Sequence, residues 1–377
     1  MVILSLVINL NKIGIICEYN PFHNGHIHHI HEIKKREPNS IIILVLNGYF
    51  LERGEISTIS KFSKTQIALN NNVDLVIELP ALFGTQSADT FAYTSVYLLN
   101  KLKVQKIIFG SETNDINKII TIAKESQTKE YSEEIKKLLN NGVNYPTALA
   151  KSLKTKFTFL PNDLLGISYV KAILKINDKI IPETIQRTNS YLDTQSSENI
   201  VSASNIRYKL KNHEDISNYL PKEAKEKMNI IDYDLYFKIL KSTILTNTHL
   251  NEILDVEEGI EFRLKEAALK TNNLEDFINY VKTKRYTYNK INRMLIHILL
   301  GIKKIHAKTE IDYLRILGLN KRGRDYLNSI KKDLDISVNI NKSSVIYNYE
   351  IKASTIYDLL TSQNTYEEEL NNKPIIH

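Results

Sequence analysis

The sequence predicts an α/β protein: a Rossmann-like, doubly wound parallel sheet over residues 1–217, followed by a mostly helical C-terminal domain over residues 218–377. Three observations carry that expectation. Short β-branched apolar runs alternate with helix-period segments through the first half of the chain. The polar turn after the first run opens directly into a helix, and sheets of this kind bind ligands at the carboxyl ends of their strands. Beyond about Asn218 the alternation stops and helical periodicity takes over, so a boundary is expected near Leu220-Pro221. A chain of 377 residues is long enough for two domains.

The first strand is Ile13–Cys17, apolar throughout. Asn20-Pro21 marks a turn, because a residue preceding proline is pushed out of the helical region. A helix is expected from about Gly25 to Arg36, and Ile41–Leu46 reads as the second strand. The polar stretch from Asn47 to Glu55, containing Gly48 and Gly54, is a loop, and Ser60 is a candidate cap for a helix over 61–71. Val73–Leu79 is the third strand, stopped by Pro80, and a longer helix follows over 87–101. Gln105–Phe109 is the fourth strand and ends in Gly110-Ser111-Glu112. Helical patterns run over 116–153, and Pro161 sits in the first turn of another helix, where its missing N–H is no loss. Ile180–Ile185 is a candidate fifth strand, 186–200 a polar loop, and Ser202 the start of a further helix. In this arrangement the loops at Glu18, Asn47, Leu79 and Gly110 share one edge of the sheet.

Composition narrows what the chain can be. A hydrophobic share of 42% is ordinary for a globular protein. Cys17 is the single cysteine, which rules out an internal disulfide and a cysteine-built metal site and fits a reducing cytoplasm. It falls in the first strand and is expected in the core rather than as a nucleophile. Met1–Leu10 is apolar but lacks the basic start and small-residue cleavage site of a signal peptide, so it reads as an N-terminal extension or a first strand. No apolar run is long enough to span a bilayer, so no membrane partner is expected. The net charge is +7, yet between Lys282 and Lys332 stand 14 lysines and arginines against 3 aspartates and glutamates. A basic excess so localised suggests a surface for a polyanion.

The chemistry concentrates in Glu18-Tyr19-Asn20-Pro21-Phe22-His23-Asn24-Gly25-His26. A helix N-terminus presents unpaired N–H groups and the positive end of the dipole, which suits a phosphate. Gly25 lets a ligand approach the backbone. His23 and His26 can donate to phosphate oxygens and, if protonated, add charge where a leaving pyrophosphate builds negative charge. An H-x-x-H pair alone is common loop decoration. Strand, Asn-Pro turn, H-x-G-H and helix in that order point to a nucleotide site. Ser202-Ala203-Ser204-Asn205-Ile206-Arg207 is, alone, an ordinary helix cap. Downstream of such a sheet its hydroxyls and guanidinium suit the opposite wall of a phosphate site.

Arg53 suits a cation closing over a polyphosphate. Glu18 and Glu78 suit orienting a substrate or holding Mg2+ indirectly, while for Asp74 and Glu78 the plainer role is pairing with nearby lysines. His28, His29 and His31 lack a third-ligand pattern, so a solvated helix face is expected and no metal site is assigned. Lys282, Lys284, Arg285, Lys290 and Arg293, interleaved with Tyr286 and Tyr288, and then Lys321, Arg322 and Arg324, suit RNA phosphates with base stacking. The alternative for them is a solvated basic helix face.

With these residues placed, the chain resembles the tRNA(Met) cytidine acetate ligase family, in the H-x-G-H nucleotidyltransferase superfamily. The resembling blocks are EYNPFHNGH (18–26), NGYFLERGE (47–55), VDLVIELP (73–80), FGSE (109–112), NDLLGISYVKA (162–172), SASNIR (202–207), KRYTYNKINRMLIHILLGI (284–302) and YLRILGLNKRGRDYL (313–327). The resemblance implies a nucleotidyltransferase-type sheet and an enzyme that activates acetate with ATP to acetyl-adenylate. The acetyl group then passes to N4 of the wobble cytidine of elongator tRNA(Met), giving N4-acetylcytidine. It implies an ATP site over Ile16, Cys17, Glu18, Tyr19, Asn20, Pro21, Phe22, His23, Asn24, Gly25, His26, Ile27, His28 and His29, with Gly110, Asn162, Arg187 and Thr188. Ser202, Ser204 and Arg207 would line the other side, with His23, His26 and Arg207 catalytic. Mg2+ is expected with ATP, bound mainly through phosphates and water. The family's second block usually reads closer to S-G-N-F-x-Q-R-G-E, so Asn47, Tyr49 and Glu52 replace three polar positions here, and Ser204 stands where threonine is more frequent. Two other readings stand beside this one. A small-molecule adenylyltransferase leaves the basic half without a role, and a non-catalytic RNA-binding protein sits poorly with an intact His23, Gly25 and His26.

Overall fold

In the computed structural model, residues 10–143, 145–155, 160–187, 199–283 and 285–377 are described. The apolar residues 1–9, Thr188 and Lys284 lie outside them. Among the described residues one sheet has seven strands: β1 (Lys12–Cys17), β2 (Ile41–Asn47), β3 (Leu75–Leu79), β4 (Lys106–Ser111), β5 (Ile181–Gln186), β6 (Ile316–Leu319) and β7 (Ile375–Ile376). Their spatial order is β5-β4-β1-β2-β3-β6-β7. The first five are parallel, β6 is antiparallel to β3, and β7 is parallel to β6. The expected doubly wound parallel sheet is present, and its strands lie within about two residues of where apolar runs placed them. All seven residues of β2 are buried, as a sheet covered on both faces requires.

Helices relevant to the site are α1 (Asn24–Arg36), α2 (Lys61–Asn70), α3 (Ala88–Lys101), α4 (Pro161–Ile176), α5 (Ala203–Lys211), α6 (Tyr288–Leu300), α7 (Lys321–Ile330), α8 (Val345–Thr361) and α9 (Thr365–Asn371). Ser60 and Ser202 cap α2 and α5 as expected, and Pro161 opens α4. Among the described residues no helix is long and apolar enough to cross a membrane.

Topology creates the crevice. From β1 the chain moves through β2 and β3 in one direction, then returns to β4 and β5 on the other side of β1. The order reverses between β1 and β4, and ligands bind at such a switch point outside the strands' carboxyl ends. Along β2, β1 pairs over six residues, Lys12 to Cys17. Along β4 it pairs only at Ile13↔Lys106 and Gly14↔Ile107, so this ladder stops short of the carboxyl ends.

The part after residue 217 is mostly helical and also supplies the edge strands β6 and β7. A buried charge cluster pins it to the sheet. The Lys61 ammonium contacts Glu78, Glu350 and Glu369, with Glu350 Oε2 at 2.9 Å. Arg315 pairs with Glu369 and lies 3.5 Å from Glu78. Glu78 thus takes the plainer of its two expected roles. Asp74 does the same, with Lys34 at 3.1 Å.

Candidate active site

The crevice between β1 and β4 leads into a cleft of about 480 Å³. Its walls are the end of β1 with its turn (Ile16 to Asn20), the start of α1 (His23, Gly25, His26, His28, His29) and the loop residues Glu52, Arg53 and Glu55. The end of β4 (Phe109, Gly110), the start of α4 (Pro161, Asn162), Arg187 and Arg207 complete it. All of them sit on the edge where sequence placed the loops.

His23 is the N-cap of α1. Its Nδ1 accepts the Gly25 N–H at 3.0 Å, and His26 Nδ1 accepts the His23 N–H at 3.1 Å. This is a capping box made of two histidines. A Cβ on Gly25 would stand 2.7 Å from His23 Cε1, so only glycine lets the His23 ring fold back over the helix start. The two rings stack at 3.9 Å between centroids, and Tyr19 meets His26 edge-on at 4.6 Å.

A neutral imidazole whose Nδ1 accepts must carry its proton on Nε2. Burial, followed by the charges of Arg187 and Arg207, pushes His23 down to about 3. Burial, with His23 and Arg187 beside it, holds His26 well below its ordinary value, and burial with Arg187 brings His29 to about 4. Of the two forms weighed from sequence, the structure gives the neutral donor, and Arg187 and Arg207 bring the positive charge. His28 and His29 line the cleft, contrary to the solvated face expected of them; His31 is exposed. In the protein alone, imidazole NMR is expected to show no titration of His23 between pH 5 and 8. A midpoint inside that range would overturn the neutral assignment.

Arg207 frames the cleft. Its Nη1 donates to the Asn20 carbonyl at 2.6 Å and its Nη2 to Glu55 Oε1 at 3.0 Å. Asn20 Nδ2 donates to Glu55 at 3.3 Å, and Asn20 Oδ1 accepts the Thr58 N–H at 2.9 Å. Asn162 donates to Glu112 Oε1 at 2.6 Å, and Glu112 also accepts the N–H groups of Asn162 and Asp163 at the start of α4. Pro21 and Phe22 are buried outside the cleft lining, Ile27 packs on the core, and Asn24 donates to the carbonyls of Asn199 and Asn218 at 2.9 Å each. Ser202 caps α5 through the Asn205 N–H at 3.1 Å, and neither Ser202 nor Ser204 lines the cleft. Burial pushes the Cys17 thiol up to about 12, so it is a wall rather than a nucleophile, as expected.

Sequence reasoning missed the support of the 47–55 loop. Glu18 Oε1 accepts Asn47 Nδ2 and the Glu52 N–H, both at 2.8 Å. Lys64, fully buried, donates to the carbonyls of Glu18, Asn47 and Gly48 at 2.9, 2.7 and 2.7 Å, and burial pushes it down to about 7. Gly54 has φ +73°, and a Cβ there would strike the backbone of Asn292 and Arg293, so the loop rests directly on α6. Glu52, Glu55, Phe91, Tyr169 and Asn289 line the cleft without having been singled out as site residues. Glu52 and Glu55 flank Arg53 in the NGYFLERGE block, the one signal that was available for them.

The basic stretch divides in space. Arg293 reaches Glu52 at 3.4 Å, Arg285 pairs with Glu258 at 2.8 Å, Lys290 lies 3.8 Å from Glu257, and Lys282 is exposed. Lys321, Arg322 and Arg324 belong to α7 at the amino-terminal edge of the sheet, where Arg322 donates to the carbonyls of Asn39 and Ser40 just before β2. A strand of seven residues, roughly 20 Å at about 3.3 Å per residue, separates that edge from the cleft. Among the described residues, the carboxylates close enough to share a metal ion are Glu78, Glu350 and Glu369, and Lys61 already bridges them.

A profile of the HIGH Nucleotidyl Transferase family matches residues 10–373. A relative from Geobacillus sp. (strain WCH70), named tRNA(Met) cytidine acetate ligase, is 38% identical over 97% of this chain and 100% of its own length. One of the same name from Fusobacterium nucleatum subsp. nucleatum is 38% identical over 89% of this chain and 88% of its own. The crystal structure of Thermotoga maritima TmcAL bound with alpha-thio ATP superposes with a TM-score of 0.85 at 26% identity, covering 97% of this chain and 99% of that one. The apo form of the same protein gives the same TM-score at 27% identity. Sequence, sheet order and switch-point cleft agree: the chain belongs to the tRNA(Met) cytidine acetate ligase family, ATP-dependent ligases on a HIGH nucleotidyl transferase fold.

Proposed function

We propose that this chain activates acetate with ATP to acetyl-adenylate and pyrophosphate, then transfers the acetyl group to N4 of the wobble cytidine of elongator tRNA(Met). The observation that carries the reading is the pair of neutral histidines, each with Nδ1 engaged and a proton on Nε2, at a switch-point cleft flanked by Arg187 and Arg207. Acetate is ionised at neutral pH, so its attack on the α-phosphate needs in-line positioning and stabilisation of the departing pyrophosphate rather than a base. His23 and His26 donate through Nε2–H, α1 points its N-terminal dipole at the phosphates, and the two arginines add charge. Arg207 also holds Glu55 and the Asn20 turn, so substrate binding and wall geometry depend on one side chain. Mg2+ would neutralise phosphate charge and would be held mainly through the phosphates and water; among the described residues the carboxylates close enough to share a metal are Glu78, Glu350 and Glu369, outside the cleft lining. The single cysteine, Cys17, half-buried in the cleft wall, suits a cytoplasmic setting.

In the same reading the part from 218 to 377 meets the tRNA, with Arg285, Lys290 and Arg293 near the cleft and Lys321, Arg322 and Arg324 farther along the RNA. The test incubates the pure protein with ATP, labelled acetate and tRNA. Label in elongator tRNA(Met) is the expected result; transfer of nucleotide to a small acceptor, or binding without chemistry, would replace the reading. Arg285→Glu is expected to weaken tRNA binding several-fold and flatten its salt dependence by about one charge, with ATP–pyrophosphate exchange retained. Unchanged tRNA affinity would remove Arg285 from the interface.

A further inference from the structure

Tyr169 stands in the middle of α4, lines the nucleotide cleft and is only 3% exposed. Among the described residues its hydroxyl has no hydrogen-bond partner. A phenol that gives up water without gaining a partner costs stability, so such a group in a cleft wall points to a ligand that completes it. The ring is held in place. It meets Phe109 edge-on at 5.5 Å, and on either side of it Ser168 and Lys171 each reach Asp89 of α3 at 2.9 Å. Burial, followed by Cys17, Glu18 and Glu52, holds the phenol well above its ordinary value, so near neutral pH it is a donor.

Its position in the cleft suits the acyl group. The phenol faces Cys17 and Glu18 at the end of β1 and Glu52 of the 47–55 loop, whereas His23 faces Arg187 and Arg207. In-line displacement at the α-phosphate puts the attacking carboxylate on the side opposite the departing pyrophosphate. With pyrophosphate at the histidines and arginines, acetate falls on the Tyr169 side. Glu18 is already engaged by Asn47 and the Glu52 N–H, and burial pushes Glu52 up to about 7, which eases the approach of an anion. Ala88 and Leu164 give this side an apolar wall. They also border a second cleft, of about 1000 Å³, lined in part by Arg285, Lys290 and Arg293. An acyl group at that wall is within reach of the nucleotide on one side and of an acceptor arriving past those cations on the other.

We propose that Tyr169 is a catalytic residue of an acyl subsite: its hydroxyl donates to the acetate oxygen that becomes the acetyl carbonyl, and Ala88 and Leu164 enclose the methyl group. This rests on the acetyl-transfer reading above. One acetate oxygen forms the bond to the α-phosphorus, and pyrophosphate leaves with the electron pair. The other oxygen keeps the Tyr169 hydrogen bond. When the amine nitrogen attacks the carbonyl carbon, negative charge builds on that oxygen, where a fixed donor counts most. The bond from the carbon to the phosphate oxygen then breaks, and AMP leaves with the electron pair. The carbonyl re-forms and the proton lost by nitrogen goes to water. Tyr169 keeps its own proton throughout.

The test measures acetate-dependent ATP–pyrophosphate exchange without tRNA, and single-turnover acetyl transfer to tRNA. Tyr169→Phe is expected to raise the KM for acetate ~10-fold, to leave the KM for ATP within about two-fold, and to lower transfer by ~10²-fold. Because the lost hydroxyl has no partner in the protein, the variant is expected to keep the wild-type melting temperature. A tyrosine that only packs would not separate the two KM values. Leu164→Ala, which widens the wall and keeps the donor, is expected to raise the propionate-to-acetate ratio of kcat/KM in exchange by ~10-fold or more. Tyr169→Phe with the wild-type acetate KM and transfer rate, or with an ATP KM raised as far as that for acetate, would overturn this proposal alone. An unchanged ratio in Leu164→Ala would overturn its methyl wall. A wild type that makes no acetyl-adenylate and labels no tRNA would overturn both the proposal and the reading beneath it.

Discussion

His26→Ala is expected to lower acetate-dependent ATP–pyrophosphate exchange by ~10²–10³-fold, the usual cost of removing one preorganised donor from a developing negative charge. The geometry gives the substitution two effects at once. It removes an Nε2–H aimed away from the helix backbone, and it removes the Nδ1 that accepts the His23 N–H at 3.1 Å. The second loss loosens His23, whose ring stacks on His26 at 3.9 Å, so both donors are displaced. As a helix cap the same side chain is worth only about 1 kcal/mol, so the melting temperature should fall by a few degrees while exchange collapses. His26→Asn separates the two roles: a short amide can still accept from the His23 N–H but does not reach as far. Stability is expected to recover and exchange is not. Affinity for tRNA, measured by filter binding, should stay within a few-fold for both variants. If tRNA binding were lost and exchange kept, the division of labour between the β1–α1 turn and the part after residue 217 would be wrong.

What could be read from the sequence was what is local. The strand, turn and helix from Ile13 to Arg36 announce themselves through an apolar run, an Asn-Pro step and a glycine between histidines, and all lie where expected. Ser60, Ser202 and Pro161 are caps or first-turn residues whose physics involves only their nearest neighbours. The protonation of the histidines was not legible, because it depends on burial under the folded walls and then on Arg187 and Arg207, 164 and 184 positions beyond His23. Strands β6 and β7 escaped notice because four and two residues carry no period, and their pairing partners are distant in sequence. Lys61 and Lys64 carry no local signal of burial in the sequence. Their burial follows from acceptors that come from the turn after β1, the end of β2, β3, α8 and α9. Charge counting found the basic stretch, but only the packing of α7 against the start of β2 reveals that Arg322 and Arg293 serve opposite edges.

Lys61→Met is expected to be the most destabilising single change, at about 3–5 kcal/mol, because it leaves buried carboxylates without their central cation. The cluster holds Lys61 and Arg315 against Glu78, Glu350 and Glu369, all with almost no exposure, so it is one negative charge in excess when every carboxyl is ionised. Burial, reinforced by Glu78, pushes Glu350 up to about 7, so Glu350 takes up much of that excess as a bound proton. Burial disfavours ionised Glu78 too, but Lys61 and Arg315 outweigh it and hold that carboxyl below its ordinary value. The signs follow. Glu78, lowered in the folded state, contributes stability above its ordinary pKa that is lost as the pH falls through its folded value. Glu350, raised in the folded state, contributes stability below its ordinary pKa that is lost as the pH rises through about 7. Without Lys61 all three carboxyls meet the desolvation cost with only Arg315 to offset it, so each favours its protonated form. The deficit of Lys61→Met should therefore be smallest near pH 5 and grow toward pH 8, read as the gap between denaturant midpoints. Adding Glu350→Gln removes one carboxylate and should recover part of the loss at pH 8, while Glu350→Gln alone changes little near neutrality. Because Tyr49 donates to Glu369 at 2.9 Å, the loop that carries Glu52 and Arg53 leans on the same cluster. Hydrogen exchange in Lys61→Met should consequently rise first in α8, α9 and residues 47–55, and equal midpoints for wild type and variant at pH 8 would show that Lys61 is not what holds those charges.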